Sequence, residues 1–471
     1  MKILLTGATG YIGKRILPIL INEGHHVVCC VRDRSRFNPP EYLRNNISII
    51  ELDLTDDVLE VDIPSGIEVA YYLVHSMSTS KNYDSLEKKS AVNFRKILYK
   101  MNVTQVIYLS GIVNDSNLSK HLLSRKMVEN ELSKGNYNLT TYRAGIVIGS
   151  GSASFEIMRD LIEKLPIMIT PHWLLTRCQP IAVHDVLLIL TKSILKEQTY
   201  NTNFDIGSKD ILTYKDMLLQ FSKIRNLKRF IWTVPVMTPR LSSYWLYFVT
   251  STSYRLATSL VDSMKVEVIC RNSEINNILN INPIPYKEAL SRAFDKIENN
   301  DITSSWKDSY SSSGIKNNIS DLIVVPEFGC FKDIRKENLV DYKNTLNKIW
   351  SIGGETGWYY ANWLWRIRGF IDKLVGGVGL RRGRTNRNTI SAGDSLDFWR
   401  VLYADKNEGR LLLFAEMKLP GEAWLEFKLK NSELVQTATF RPKGVAGRIY
   451  WFIVYPLHGY IFNGLIKKII K

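Results

Sequence analysis

Three glycines at the head of the chain constrain its fold more than any other feature. Lys2-Ile3-Leu4-Leu5 reads as a short buried strand, and Lys14-Arg15-Ile16-Leu17-Pro18-Ile19-Leu20 reads as the body of a helix. Between them lies Thr6-Gly7-Ala8-Thr9-Gly10-Tyr11-Ile12-Gly13. Glycine is needed where backbone turns with positive φ or must approach another group closely. A helix that starts just after such a turn presents free N–H groups and its positive dipole end to an anion. Strand, glycine turn and helix in that order open a doubly wound parallel α/β sheet with a pyrophosphate at the turn. The spacing is Gly-x-x-Gly-x-x-Gly rather than the commoner Gly-x-Gly-x-x-Gly, so its placement between strand and helix carries the inference.

This alternation continues from residue 1 to about 190. Lys2–Leu5, His26–Val31, Ser48–Glu51, Val69–Leu73, Gln105–Leu109 and Leu139–Arg143 are strand candidates, with helical stretches such as Tyr83–Met101 and Lys120–Lys134 between them. Strands alternating with helices predict a parallel sheet covered on both faces. Residues 191–300, including the Trp-, Tyr- and Pro-rich stretch from Trp232 to Tyr254, read as a small substrate-side lobe. At 471 residues the chain exceeds one ordinary core, so two or three domains are expected. Residues 301–320 are serine-rich, without apolar periodicity, and read as a linker between domains at 1–300 and 321–471. Beyond it Leu396–Tyr403, Arg410–Lys418, Ala423–Lys430 and Leu434–Phe440 alternate partially and predict an antiparallel sheet with one face on a core. A long aromatic helix from about Val445 to Ile470 closes the chain.

The end of the second strand selects the dinucleotide. An acidic residue there bonds a ribose 2′-hydroxyl, whereas a basic one accommodates a 2′-phosphate. Val31 is followed by Arg32-Asp33-Arg34-Ser35-Arg36. Arg32 takes the discriminating place, and a guanidinium grips phosphate bidentately. NADP(H) is therefore the expected cofactor and NAD(H) the alternative, with Asp33 the residue that argues for NAD(H).

The segments Thr6–Gly13, Val31-Arg32-Asp33, Asp53-Leu54-Thr55-Asp56 and Ile107-Tyr108-Leu109-Ser110-Gly111 together resemble the short-chain dehydrogenase/reductase superfamily. The likeness is to its atypical branch, which includes the NmrA-like NAD(P)H-binding proteins. Tyr142–Gly149 and Gln179–Val186 resemble further segments of that branch, so about 300 residues are covered. The resemblance implies a cofactor held by Gly7, Thr9, Gly10, Tyr11, Ile12 and Gly13, with Asp53 on the adenine amino group beside Leu54. Leu73, Val74, His75 and Ser76 would line the ribose and nicotinamide channel. Residues 321–471 resemble a domain of unknown function that follows such Rossmann domains in bacterial two-domain proteins and that is similar to the START-like helix-grip fold.

Active members of the superfamily carry Tyr-x-x-x-Lys on the helix after the fifth strand, with Ser or Thr at that strand's end. The lysine lowers the tyrosine pKa so that the phenol can exchange a proton. Ser110 stands in the expected place, but no tyrosine in this chain is followed four residues later by lysine. His121 falls where the tyrosine would stand and Arg125 where the lysine would. One reading makes His121 the proton donor, as imidazole can be near neutral pH, with Arg125 on the ribose. The other makes the helix a degenerate remnant, and a register one residue later puts Lys126 on the ribose. His172 and His184 are dispersed, and no metal-ligand spacing, P-loop or nucleophile elbow is present.

The net charge is +16, and residues 321–471 hold about +9 of it, densest at Arg381, Arg382, Arg384 and Arg387 and at Lys467, Lys468 and Lys471. Such charge suits anionic partners, although no nucleic-acid-binding motif accompanies it. The five cysteines lack pair or ligand spacing and read as reduced core residues. Met1 leads straight into the first strand without a signal-peptide pattern, so the cytoplasm is the expected compartment. Ile449–Phe462 is apolar but too short to span a bilayer of ~30 Å. Buried across the sheet, this helix would let Trp399, Trp424, Trp451 and Tyr455 line a pocket for an apolar ligand. Left exposed, it would anchor the protein peripherally on the inner, anionic face of a membrane.

The expected fold is thus a doubly wound Rossmann sheet with a small lobe, followed by an α+β antiparallel helix-grip domain. The expected function is an NADP(H)-dependent oxidoreductase acting on a small apolar or amphipathic substrate, with a homo-oligomer left open. A non-catalytic NADP(H) sensor or scaffold, or a lipid-binding protein, is the alternative.

Overall fold

Parallel strands buried on both faces need a crossover to return the chain, and helices supply it here. The computed structural model describes residues 1–32, 34, 37, 39, 41–56, 62–74, 83–113, 120–234, 258, 261–298, 325–326, 330–379, 384, 389–430 and 432–471. Asp33, Arg36, His75, Ser76, the serine-rich linker, Arg381, Arg382 and Arg387 lie outside these residues, as does the side chain of His121. The chain divides into two compact units, essentially residues 1–312 and 313–471.

In the first unit β1 (Lys2–Thr6), β2 (His26–Val31), β3 (Ile47–Glu51), β4 (Ile67–Tyr72), β5 (Gln105–Gly111), β6 (Asn138–Ala144) and β7 (Thr202–Ile206) form one sheet. Their order is β7-β6-β5-β4-β1-β2-β3, with every pair parallel. Helices α1 (Tyr11–Asn22), α2 (Tyr83–Tyr99) and α3 (Lys120–Leu132) lie in the crossovers. The seventh strand was not expected. It reads Thr-Asn-Phe-Asp-Ile, an edge strand buried only in its last three residues, so it lacks the continuous apolar run of the inner strands.

Strand order reverses between β1 and β4, which opens a crevice at their carboxyl ends. One core lies between the sheet and α2 and α3, around Tyr72, Phe94, Tyr108 and Leu132. A second core builds the small lobe, where Phe155, Phe221 and Phe294 meet pairwise at 5.0–5.5 Å. Much of the Trp232–Tyr254 stretch lies outside the described residues.

In the second unit β8 (Phe331–Asn338), β9 (Ser395–Leu396), β10 (Trp399–Asp405), β11 (Arg410–Ala415), β12 (Gly421–Lys430) and β13 (Glu433–Pro442) make a separate sheet of order β8-β13-β12-β11-β10-β9. All of its pairs are antiparallel. Helix α4 (Asn362–Leu374) precedes β9, and α5 (Gly444–Ile470) packs against β8 and β13. β8 was missed because Lys, Asp, Arg, Lys and Glu fill five of its eight positions, as charges do at a protected sheet edge.

Three expectations for this unit need correction. Leu396–Tyr403 is not one strand: Asp397 turns left-handed (φ +53°) and makes a tight hairpin between β9 and β10, its carboxylate accepting from Trp358 Nε1 at 2.8 Å. The four aromatics assigned to one pocket do not share one. Trp399 belongs to the main core with Trp358, Trp365 and Phe398, whereas Trp424 packs with Leu402, Leu412 and Phe414 in a separate cluster. Trp451 stacks on Phe331 and Phe440, and Tyr455 is exposed. Finally, Arg384, counted in the basic cluster that suits anionic partners, is half-buried. It turns inward to donate to the carbonyls of Ile352 (3.0 Å) and Trp350, and burial lowers its pKa to about 10.

Candidate functional site

The glycine turn sits at the strand-order reversal, and backbone geometry explains its composition. Gly7 has φ +72°, and a Cβ there would lie 2.5 Å from the Leu73 carbonyl oxygen, just beyond β4. A Cβ on Gly13 would lie 2.1 Å from the Gly7 carbonyl oxygen and 2.9 Å from Ala8 Cα. Both obstacles are backbone, so neither can move aside as a flexible side chain would. The Gly10 N–H donates to the Gly7 carbonyl at 2.8 Å and closes the turn. Gly10 also caps α1, which has neither a side-chain cap nor an acidic residue in its first turn. The end of α1 therefore retains donors for an anionic group.

Thr6 locks the crevice from beneath. Its hydroxyl donates to the Tyr71 carbonyl at 2.8 Å and accepts from the Leu73 N–H at 3.3 Å, tying the ends of β1 and β4. Tyr11 and Arg15 tie α1 to the loop after β6, both donating to the Ser150 carbonyl, at 3.2 and 2.7 Å. The Arg15 guanidinium lies 4.7 Å over the Tyr11 ring. Burial pushes the Tyr11 phenol up to about 12, with Arg15 opposing. Thr9 and Ile12 are half-buried on this turn.

The other predicted cofactor residues also fall at carboxyl strand ends. Arg32 is exposed immediately after β2. Asp53 follows β3 by two residues, and its Oδ1 accepts from the N–H and the hydroxyl of Thr55, both at 2.8 Å. Asn93 on α2 fixes this loop by donating to the carbonyls of Leu54 (2.8 Å) and Asp56 (2.9 Å). Leu73 and Val74 are half-buried beside Gly7.

Ser110 lies near the end of β5. It is only 7% exposed, and its Oγ has no hydrogen-bond partner at normal distance among the described residues. Buried hydroxyls are normally paired, and Tyr108, two residues earlier on the same strand, is the group on which Ser110 acts. His121 is the second residue of α3. Arg125 is buried among Tyr108, Glu87 and Tyr72. Burial opposes its charge, but Tyr108 and Glu87 outweigh burial and raise its pKa. The Tyr108 hydroxyl donates to the Arg125 carbonyl at 3.4 Å. Burial raises the Tyr108 phenol, partly offset by Arg125 and Ser110. Ser124 donates to Glu87, and Lys126 is exposed.

The residues Glu87, Ser124 and Tyr108 were not singled out from the sequence. A signal was there: Glu87 falls in line with Ser90, Ala91, Phe94 and Leu98 on the buried stripe of α2, where a carboxylate needs partners. Among the described residues no His, Cys, Asp and Glu group could hold a metal ion.

A second feature of the first unit is a narrow apolar pocket in the small lobe. Ile146, just after β6, lines it with Met158, Leu161, Trp173, Tyr214 and Met217. No charged side chain lines it, and its free volume is about 40 Å³.

Residues 3–119 match the family model described as the NAD dependent epimerase/dehydratase family. Residues 330–465 match a protein family of unknown function, DUF2867. No curated protein matches the chain. Among solved structures, a nucleoside-diphosphate-sugar epimerase from Staphylococcus aureus is 16% identical, overlapping 62% of this chain and 99% of its own, with a TM-score of 0.49. A UDP-glucuronic acid 4-epimerase from Bacillus cereus, in complex with UDP-glucuronic acid and NAD, is 15% identical over 64% and 99%, with a TM-score of 0.48. A UDP-glucose 4-epimerase from Thermotoga maritima is 14% identical over 64% and 99%, with a TM-score of 0.47.

Proposed function

We propose that the first unit binds NADP(H) at the β1–α1 turn and acts as an oxidoreductase of the atypical short-chain dehydrogenase type. The observation that carries the binding is the turn itself, where Gly7 and Gly13 leave no room for a Cβ beside a helix end without a side-chain cap. The exposed Arg32 after β2 supports the phosphorylated cofactor, because a guanidinium there can pair with a 2′-phosphate. Asp53, on its tethered loop, is assigned to the adenine amino group.

When bound, the nicotinamide supplies or accepts a hydride; the chain's residues hold the substrate and move the proton. In this reading the Ser110 hydroxyl holds the substrate oxygen, and His121 exchanges the proton that the missing tyrosine would. Arg125 lies among Glu87 and Tyr108, which suits a positioning role for the strand bearing Ser110 better than direct contact with a ribose. The substrate class we assign is an apolar or amphipathic small molecule, and a nucleotide sugar, whose diphosphate calls for cationic partners, is the comparison. For the second unit, an antiparallel sheet with a long terminal helix supports the helix-grip reading.

The absent Tyr-x-x-x-Lys favours one rival, a non-catalytic NADP(H) sensor or scaffold. Turnover separates the two. NADPH oxidation at 340 nm is followed with quinones, enones and long-chain aldehydes. UDP-glucose, which cannot oxidise NADPH, is the polar comparison, and its conversion is followed by chromatography of the sugar nucleotides after incubation with NADP+. Oxidation by the apolar panel that falls with Ser110→Ala and His121→Ala supports the enzyme. Binding without oxidation of any panel member supports the sensor, and turnover of UDP-glucose alone overturns the apolar assignment.

A further inference from the structure

Two helices of the second unit turn apolar rows toward solvent. On α4, Trp363, Ile367, Phe370, Ile371 and Leu374 are exposed, Trp363 at 59% and Phe370 at 60%. Their spacing traces one stripe of the helix, while Trp365, Gly369 and Asp372 on the opposite side are buried. At 100° per residue, Arg366 and Lys373 border this stripe on one side and Arg368 on the other. On α5, Val445, Ile449, Phe452, Ile453, Leu457 and Tyr460 face outward, Phe452 at 67%. Trp451, Phe462, Leu465, Ile466 and Ile469 face the core instead.

The outward row of α5 runs into a basic groove lined by Tyr360, Tyr460, Asn463, Lys467, Lys468 and Lys471. Tyr360 reaches this groove because residue 464 is glycine: a Cβ there would lie 2.1 Å from its ring. The sequence showed the apolar run of α5 but not which side of it packs, and it did not reveal the stripe of α4.

Exposed apolar rows rimmed by polar groups mark a covered surface, and charge indicates the cover. Helix α5 contains no Asp or Glu. The one carboxylate of α4, Asp372, is buried and accepts from the N–H groups of Gly379 (2.8 Å) and Lys418 (2.7 Å). A second copy related by a two-fold axis would set basic borders against themselves. An acidic surface would match them. Among the described residues no helix is long and apolar enough to cross a membrane, whereas apolar rows with basic borders are how helices lie in a bilayer interface.

We infer that α4 and α5 dock this protein on an anionic phospholipid surface. The aromatic and aliphatic rows enter the boundary between headgroups and acyl chains. The lysine groove takes a lipid phosphate, and the bordering arginines reach back to the headgroups as long basic side chains do.

The test is flotation of the full-length protein with vesicles of phosphatidylcholine alone or with 30% phosphatidylglycerol. Binding is expected only to the anionic vesicles and should fade in 0.5 M salt. The double variant Lys467→Glu, Lys468→Glu should bind roughly 25-fold more weakly or worse, and Ile367→Glu with Phe370→Glu should abolish flotation. These positions are exposed, and an unchanged circular dichroism spectrum checks the fold. Independently of any variant, tryptophan emission of the native protein should be quenched by brominated lipid. Absence of flotation, equal flotation on neutral vesicles, or flotation unchanged by both variants would overturn the inference. So would a concentration-dependent dimer that the Ile367 and Phe370 substitutions dissociate, because the rows would then be a protein interface.

Discussion

Replacing Gly13 with alanine isolates the geometry on which cofactor binding rests. The added methyl would stand 2.1 Å from the Gly7 carbonyl oxygen and 2.9 Å from Ala8 Cα. Carbon needs at least ~3.3 Å from such atoms, so the start of α1 must retreat from the turn by about an ångström. Forced overpacking of this kind costs ~1–3 kcal/mol in stability. The retreat also pulls the free N–H groups of α1 from the phosphate position, and losing one charge-assisted hydrogen bond costs ~1.5–3 kcal/mol, or roughly 10- to 150-fold in affinity. The control is Gly66→Ala, where φ is +82° and no atom crowds the added Cβ. It strains the backbone by ~1–2 kcal/mol at the amino end of β4, far along the strand from the crevice. The assays are thermal melting without cofactor and NADPH titration by fluorescence. Both variants should melt early, and only Gly13→Ala should lose affinity. Wild-type affinity in Gly13→Ala, or equal losses in both, would refute the placement of the cofactor.

Three further outcomes follow from the same structure. Arg32→Ala should weaken NADPH roughly tenfold or more while leaving NADH unchanged, as titration of both cofactors would show. Arg400 is buried against Glu416, with Nε to Oε1 at 2.9 Å, and also donates to the Gly393 carbonyl at 2.6 Å; Arg400→Ala leaves a buried carboxylate alone and should cost the second unit ~3–5 kcal/mol in chemical denaturation, against little change in the NADPH affinity. Burial lowers the His458 pKa from 6.5 to about 4, so the unfolded chain takes up the proton first. Its contribution to stability should fall as pH drops from about 6.5 to 4, by at most ~3 kcal/mol, and His458→Gln should flatten that part of the melting-temperature profile.

How much of this was legible in the sequence depended on whether a residue's neighbours were local. The glycine turn could be read because strand, turn and helix are contiguous, and its steric demands arise within 13 residues and one neighbouring strand. Inner strands such as Val27–Val31 announce themselves by unbroken apolar runs, since both faces are covered. Edge strands do not: β7 and β8 are half polar because half of each faces solvent. The hairpin at Asp397 hid in an apolar stretch because its left-handed turn is stabilised by Trp358, 39 residues away. Arg384 was counted in the basic cluster suited to anionic partners for the same reason, its acceptors lying at Trp350 and Ile352. The buried group of Glu87, Ser124 and Arg125 needed α2 and α3 to meet before its members could be seen together. Periodicity reveals an apolar stripe, but only packing tells which side of it is covered, as α4 and α5 illustrate.

The central claim is that residues 6–13 and Arg32 form a binding site for NADP(H), and isothermal titration of the full-length chain with NADPH and NADH tests it most directly. The account predicts one site per chain, micromolar or tighter for NADPH and at least tenfold weaker for NADH. No heat of binding with either dinucleotide would contradict the site, and tighter binding of NADH would contradict the role of Arg32.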